Sequence, residues 1–393
     1  MIYLDNSATS SIYPEVLDAM IPFLKEEYGN PSSKYYTLAV NASKAVEESR
    51  EKVASLIGAK PEEIVFTSGS TESTNMIIKG VSDYKRYYEN AGNHIITSKV
   101  EHHATLNTCR FLNGEIYSNK DASFSLFERR KKVNRGYEVT FLDVNKYGQV
   151  DPQNFEEEIR SSTIIASFIW ANNEIGSLND IDSLCKVAHK HNVVLHADGT
   201  QIVGKMPVNV SSTLVDFLSF SAHKFHGPKG IGVAYIRSDD YGLPPISSFM
   251  HGGNQENGLR GGTLPVHNIV GLGKAAEITV KNMYEQLKKL EYLEQEVRKY
   301  LIAMKNIESL GDPQRHLPGV LSIVVHEKNF DNECFIKRNS QKFAVSTGSA
   351  CTAGMPSHVL QAIGHAEDTS RVLRLSLSLN NTVEQIKDLI CEI

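Results

Sequence analysis

Short runs of apolar, largely β-branched residues recur through the middle of the chain: HIITS (94–98), EVTFLDV (138–144), TIIASFIWA (163–171), NVVLHAD (192–198), DFLSFS (216–221) and GIGVAYI (230–236). Helical stretches such as Ile181 to His191 lie between several of them. A strand that is apolar along nearly its whole length is covered on both faces, and alternation with helices gathers such strands into one largely parallel sheet. The pattern therefore predicts an α/β architecture. From about Pro265 to Lys305 the chain reads as one long helix, and its length predicts a connector into a second unit. After it, GVLSIVV, KFAVSTGS and VLRLSLSL predict a smaller α+β unit. One segment breaks this rhythm: between Phe111 and Tyr137, NGEIYSNKDASFSLFERRKKVNRG is polar, ends basic and has no clean period. It is expected to form an inserted loop or hairpin.

Composition narrows the function classes. A chain of 393 residues can bury a large core, and its net charge of -5 is the wrong sign for sequence-independent nucleic-acid binding. The first residues, MIYLDNSATS, are polar where an export signal needs an apolar core. No run approaches the roughly 18 apolar residues of a membrane helix, so no membrane association is expected. The five cysteines (Cys109, Cys185, Cys334, Cys351, Cys391) are scattered, odd in number and without a C-x-x-C pair. That argues against a disulfide framework or a zinc knuckle and predicts a reducing, cytoplasmic setting.

In a sheet of this kind ligands bind beyond the carboxyl ends of the strands, and polar motifs fall there. FTSGSTES (66–73) places Ser68, Gly69, Ser70 and Thr71 before a helical pattern, where hydroxyls and free amides could cradle a phosphate or simply cap the helix. HADGTQ (196–201) ends a buried strand on Asp198, which either caps a turn or holds a proton on a cofactor's ring nitrogen. SKVEHHATL sets Glu101, His102 and His103 between strand and helix, and WANNEIGS brings two asparagines to another strand end. One histidine could lie flat on a planar cofactor, although histidines at helix starts are common; either asparagine could form an Asx turn. In SFSAHKFHGPKGIG, Lys224 follows a strand beside Ser221 and His223. An amine in a cationic, partly dry pocket gives up its proton more readily, as an imine-forming lysine must. Cys351 lies in STGSACTAGMPSHVL among small residues, where a packed structural cysteine would have large apolar neighbours. This context predicts a displayed nucleophile.

Together these stretches, with YLDNSAT, GNPSS and RGGTLPVHNIVG, closely resemble the cysteine desulfurases, within the class V aminotransferase family of pyridoxal-phosphate enzymes. The resemblance spans nearly the whole chain. It implies the pyridoxal-phosphate transferase type I fold, with a mostly parallel seven-stranded central sheet in a large domain over 14–262, carrying an insertion at about 112–136. Residues 1–13 and 263–393 would form the small domain, with the long connecting helix and the catalytic cysteine loop. It further implies that Lys224 carries pyridoxal 5'-phosphate covalently, His102 stacks on the ring, Asp198 pairs with the ring nitrogen and Gln201 bonds the phenolic oxygen. Ser70, Thr71, Ser221 and His223 would hold the phosphate, joined by Thr263 from a partner subunit, which implies a homodimer. Asn173 and Arg374 would bind the substrate carboxylate. The implied reaction converts L-cysteine to L-alanine: the Cys351 thiolate attacks the substrate sulfur, and the resulting persulfide is handed to an acceptor protein.

The sequence departs from the iron–sulfur-assembly type in three places. The 112–136 insertion, with ERRKKVNR, could dock a partner or be a solvated loop. The loop after Cys351 is shorter, which reduces the reach of its thiol. The chain stops at Ile393 where that type continues into a scaffold-docking tail, and Ser378 and Leu379 replace glycine and arginine. Iron–sulfur cluster assembly, tRNA thiolation and DNA phosphorothioation all stay open as destinations of the sulfur. A selenocysteine lyase or aminotransferase, and an idle docking protein with the same fold, are the alternatives.

Overall fold

The computed structural model describes residues 1–117, 130–239, 241–242, 245–348 and 356–393. Its centre is a seven-stranded sheet built from β1 (Ile64–Thr67), β2 (His94–Ser98), β3 (Glu138–Leu142), β4 (Thr163–Ile169), β5 (Val194–Asp198), β6 (Phe217–Ser221) and β7 (Gly232–Ile236). The spatial order is β3-β2-β4-β5-β6-β7-β1. All neighbours are parallel except β7, which runs antiparallel to both β6 and β1. The six apolar runs each supply a strand, so the α/β expectation holds.

Burial explains their unbroken apolar character. Successive residues of a strand face opposite sides. Phe66, Ile96, Ala166 and Leu218 enter one core, while Val65, Ile95, Ile165 and Phe217 enter the other beneath Met76, Ile77 and Ile78. Each large side chain so buried contributes roughly 1.5–3 kcal/mol. The edge strand β3 is only partly covered, and its sequence is correspondingly more polar.

The helix Val266–Ile302 spans 37 residues, about 55 Å at 1.5 Å per residue. Its first half sends Ile269, Leu272 and Ala276 into the main core. Its second half sends Leu290, Leu293 and Val297 into a separate core. That second core lies on a three-stranded antiparallel sheet of Ile307–Leu310, Val320–Val325 and Val372–Ser376. The N-terminus joins this smaller unit: Ile2–Tyr3 pairs in parallel with Phe343–Ala344. Of the segment expected to be an insertion, Glu115–Tyr117 and Arg130–Lys132 form an antiparallel ribbon, and the residues between them lie outside the described ones. Among the described residues no helix is long and apolar enough to cross a membrane.

Only glycine fits where β7 starts. A Cβ on Gly232 would meet Gly69 Cα at 2.5 Å and the Phe220 carbonyl oxygen at 2.7 Å, both backbone atoms that cannot yield cheaply. Gly232→Ala is predicted to lower the unfolding free energy by about 1–3 kcal/mol in urea titrations. An unchanged midpoint would contradict this packing.

Candidate active site

The carboxyl ends of β1, β2, β4, β5 and β6 converge on one cavity of about 260 Å³. Each strand delivers its polar residues by a different local device. After β1 a helix starts at Ser70, and the Ser70 backbone N–H donates to Ser221 Oγ at 2.6 Å. After β2, His102 caps the helix His103–Leu112 by accepting from the Ala104 N–H at 3.1 Å. After β4, Asn172 folds the turn: its Oδ1 accepts from Glu174 and Ile175, and its Nδ2 donates to the Val100 carbonyl. The Asx-turn reading therefore holds for Asn172, leaving Asn173 to line the cavity. β5 ends on Asp198, which accepts from the Thr200 N–H at 3.0 Å and from the Thr200 hydroxyl. β6 ends on Ser221, and a single 3-10 turn, Ala222–Lys224, brings the lysine round to the cavity.

One end of the cavity suits a phosphate. It offers the first turn of the Ser70–Asp83 helix, with Ser70, Thr71, Thr200, Ser221 and His223 around it. Ser70 Oγ and Thr200 Oγ1 lie 2.5 Å apart. Helix-terminal amides and hydroxyls bind anions by directed hydrogen bonds, reinforced by the helix dipole. Burial, helped by Lys224, pulls His223 down to about 4, so near neutral pH it stands as a neutral imidazole.

At the centre, Lys224 Nζ donates to the Ser7 carbonyl at 2.6 Å and the Ala8 carbonyl at 2.9 Å. Asp198 is buried on the same cavity. Burial lowers His102 and outweighs the opposing pull of Asp198, so its ring is kept neutral beside the pocket. Behind it, Glu101 is fully buried, accepts from Ser98 Oγ at 2.6 Å and has its other oxygen without a partner among the described residues. Burial, with Asp198 nearby, raises its carboxyl well above the ordinary range. Glu101 is therefore a buried support behind the site.

The far end is cationic. Arg374, 1% exposed, lines the cavity and donates from Nη1 to the carbonyls of Asn173 (3.0 Å) and Gly348 (2.6 Å), and from Nη2 to Asp5 Oδ1 (2.7 Å). Its buried Nε has no partner among the described residues. Gln201 is clamped at both ends of its amide, donating to the Ser7 carbonyl at 3.0 Å and accepting from Lys205 Nζ at 2.9 Å. Thr263 is exposed and does not line the cavity. Cys351 lies outside the described residues. Among the described residues no three His, Cys, Asp or Glu side chains are grouped to hold a metal ion.

Several participants escape a reading of side-chain chemistry. Ser7 and Ala8 act through backbone carbonyls, which no residue type advertises; only the YLDNSAT stretch hinted at them. Thr200 and Lys205 flank Gln201 in sequence, and their neighbourhood was the available signal. His358 arrives from the smaller unit, bonds the Glu101 carbonyl at 2.9 Å and packs its ring 4.7 Å from that of His103.

The chain matches the aminotransferase class-V family over residues 2–389. It belongs to that family. A cysteine desulfurase IscS from Dictyoglomus turgidum is 40% identical over 392 residues, covering 98% of this chain and 91% of the relative. Among solved structures, a NifS-like protein superposes with a TM-score of 0.85 at 33% identity, covering all of this chain and 97% of the other. SspA in complex with cysteine gives a TM-score of 0.78 at 33% identity, covering 96% and 99%.

Burial moves four histidines, His94, His103, His196 and His223, from 6.5 to about 4. Below pH 6.5 the unfolded chain takes up protons that the folded chain refuses until about pH 4, so these groups cost stability as pH falls through that window. The unfolding free energy is predicted to fall between these limits, with a shallower slope in His196→Asn. Equal slopes would contradict it.

Proposed function

We propose that this protein is a pyridoxal-phosphate-dependent cysteine desulfurase. The observation that carries the reading is the meeting of Lys224, Asp198, the Ser70 helix start and Arg374 around one cavity. The donor set fits pyridoxal phosphate group by group. Ser70, Thr71, Ser221 and His223 would hold the phosphate, Asp198 would keep a proton on the ring nitrogen, His102 would cover the ring, and Gln201 would bond the phenolic oxygen; all of them line the cavity. Lys224 is the amine for the aldehyde. Arg374, a cation lining the cavity, is fitted to the substrate carboxylate, with Asn173 also on the lining. The relative solved with cysteine supports L-cysteine as the substrate.

When bound, pyridoxal phosphate supplies an electron sink for the substrate's Cα proton and carbon–sulfur bond. This chain's own residues do the rest. Arg374 orients the amino acid by its carboxylate, and the Lys224 amine moves the proton at Cα. The neutral His102 covers the reacting face and takes or gives a proton at its ring nitrogen. The Cys351 thiolate attacks the substrate sulfur; a sulfur–sulfur bond forms as the carbon–sulfur bond breaks, its electron pair stays with the carbon, that carbon takes up a proton, and alanine leaves. The persulfide then passes to an acceptor protein.

The exposed Thr263 fits a homodimer in which it reaches the partner's phosphate site. The two cores joined by the Val266–Ile302 helix fit a division into two units, but the first half of that helix packs with the larger one, so the boundary falls later than residue 263. Purified Cys351→Ser, assayed with L-cysteine, is expected to bind the cofactor as wild type does and to form no alanine above background. Wild-type alanine formation by that variant would refute the persulfide route.

A further inference from the structure

Lys205 is a second lysine beside the cavity, and the reading so far gives it no task. It follows Gln201 by one turn, and it faces the seam between the main core and the smaller unit, with Thr279 and Gln286 nearby. No carboxylate pairs with it among the salt bridges of the described residues. Its ammonium donates to Gln201 Oε1 at 2.9 Å. Burial pulls Lys205 down to about 7, and the nearby cations Lys224 and Arg374 add to the effect. A partly buried cation among cations costs stability, so a fold that keeps one gains something else by it.

Its contact with Gln201 indicates what that is. A glutamine side chain can face a ligand with either its carbonyl or its amino group, and an ordinary environment leaves the choice open. A lysine ammonium has donors only. By occupying Oε1 it turns the Gln201 amino group the other way, where one N–H meets the Ser7 carbonyl at 3.0 Å and the second remains for the cavity. Ser7 also accepts from Lys224, so the same carbonyl fixes the amine and the amide relative to each other.

We propose that Lys205 is a positioning residue that locks the Gln201 amide as a donor, making that edge of the cavity selective for an oxyanion on the bound ring. The proposal rests on pyridoxal phosphate being the ligand, whose phenolic oxygen is that oxyanion. It also predicts opposite effects on folding and on binding. In Lys205→Met the lone cation disappears while the side-chain length is kept, so the apoprotein should melt no lower than wild type. The same variant should bind pyridoxal phosphate at least about tenfold more weakly, the loss of a hydrogen bond to a charged group. Its bound-cofactor visible band should also shift.

The test compares wild type, Lys205→Met, Lys205→Arg, Gln201→Leu and the double variant Lys205→Met/Gln201→Leu, reading apoprotein melting, the visible spectrum and the pyridoxal phosphate dissociation constant. Lys205→Arg should restore the wild-type band, and the double variant should match Gln201→Leu alone. A Lys205→Met holoenzyme with the wild-type band and affinity overturns the proposal. So does a full further loss in the double variant, since Lys205 would then act without Gln201. If wild type itself forms no bound-cofactor band, the cofactor reading falls and this one with it; a normal wild-type band beside an unchanged Lys205→Met spectrum removes this proposal alone.

Discussion

Positive charge gathered in a half-dry place is the constraint on which the rest of this structure depends. Lys224, Lys205 and Arg374 crowd the same region, with His223 stripped of its proton by burial and by its cationic neighbours. Such a cluster is unfavourable when unanswered by anions. Asp5 answers part of Arg374, and backbone carbonyls of the N-terminal segment answer part of Lys224. What remains matches a ligand with a phosphate at one end and a carboxylate at the other. An anionic ligand of that kind would complete the electrostatic arrangement.

The scaffold makes this crowding possible. Parallel strands end together, so five of them place their following turns around one opening, and two packed cores hold those turns rigid. The smaller unit closes the arrangement from the other side: Arg374 rides on its sheet yet bonds the Asn173 carbonyl of the larger one. The N-terminal segment stitches the two units, since Asp5 holds Arg374 while Ser7 holds Lys224 and Gln201. Loss of any one of these contacts would loosen the Arg374 and Lys224 sides of the cavity together.

Much of this was legible in the sequence, for a physical reason. Strands buried on both faces must be apolar throughout, so β4 and β6 declare themselves, and polar residues at their ends stand out against that background. Asp198 and Lys224 were visible for this reason. Edge strand β3 is more polar, and its extent was overestimated by two residues, as 138–144 against Glu138–Leu142. Contributions from backbone atoms were not legible, because a carbonyl belongs to every residue: Ser7 and Ala8 enter the site this way. Nor could spacing show that His358 would reach Glu101 across 257 positions of chain. Lys205 carries no signal in the sequence, because a lysine in a turn reads as solvated, and only the fold shows its ammonium on Gln201.

The central claim is that Lys224, and not the neighbouring low-pKa amine of Lys205, carries the cofactor. Borohydride reduction of the purified holoenzyme, followed by peptide mass mapping, tests it directly. The account predicts a single pyridoxyl group, on Lys224. A label on Lys205 or on any other lysine, or no label at all, would contradict it.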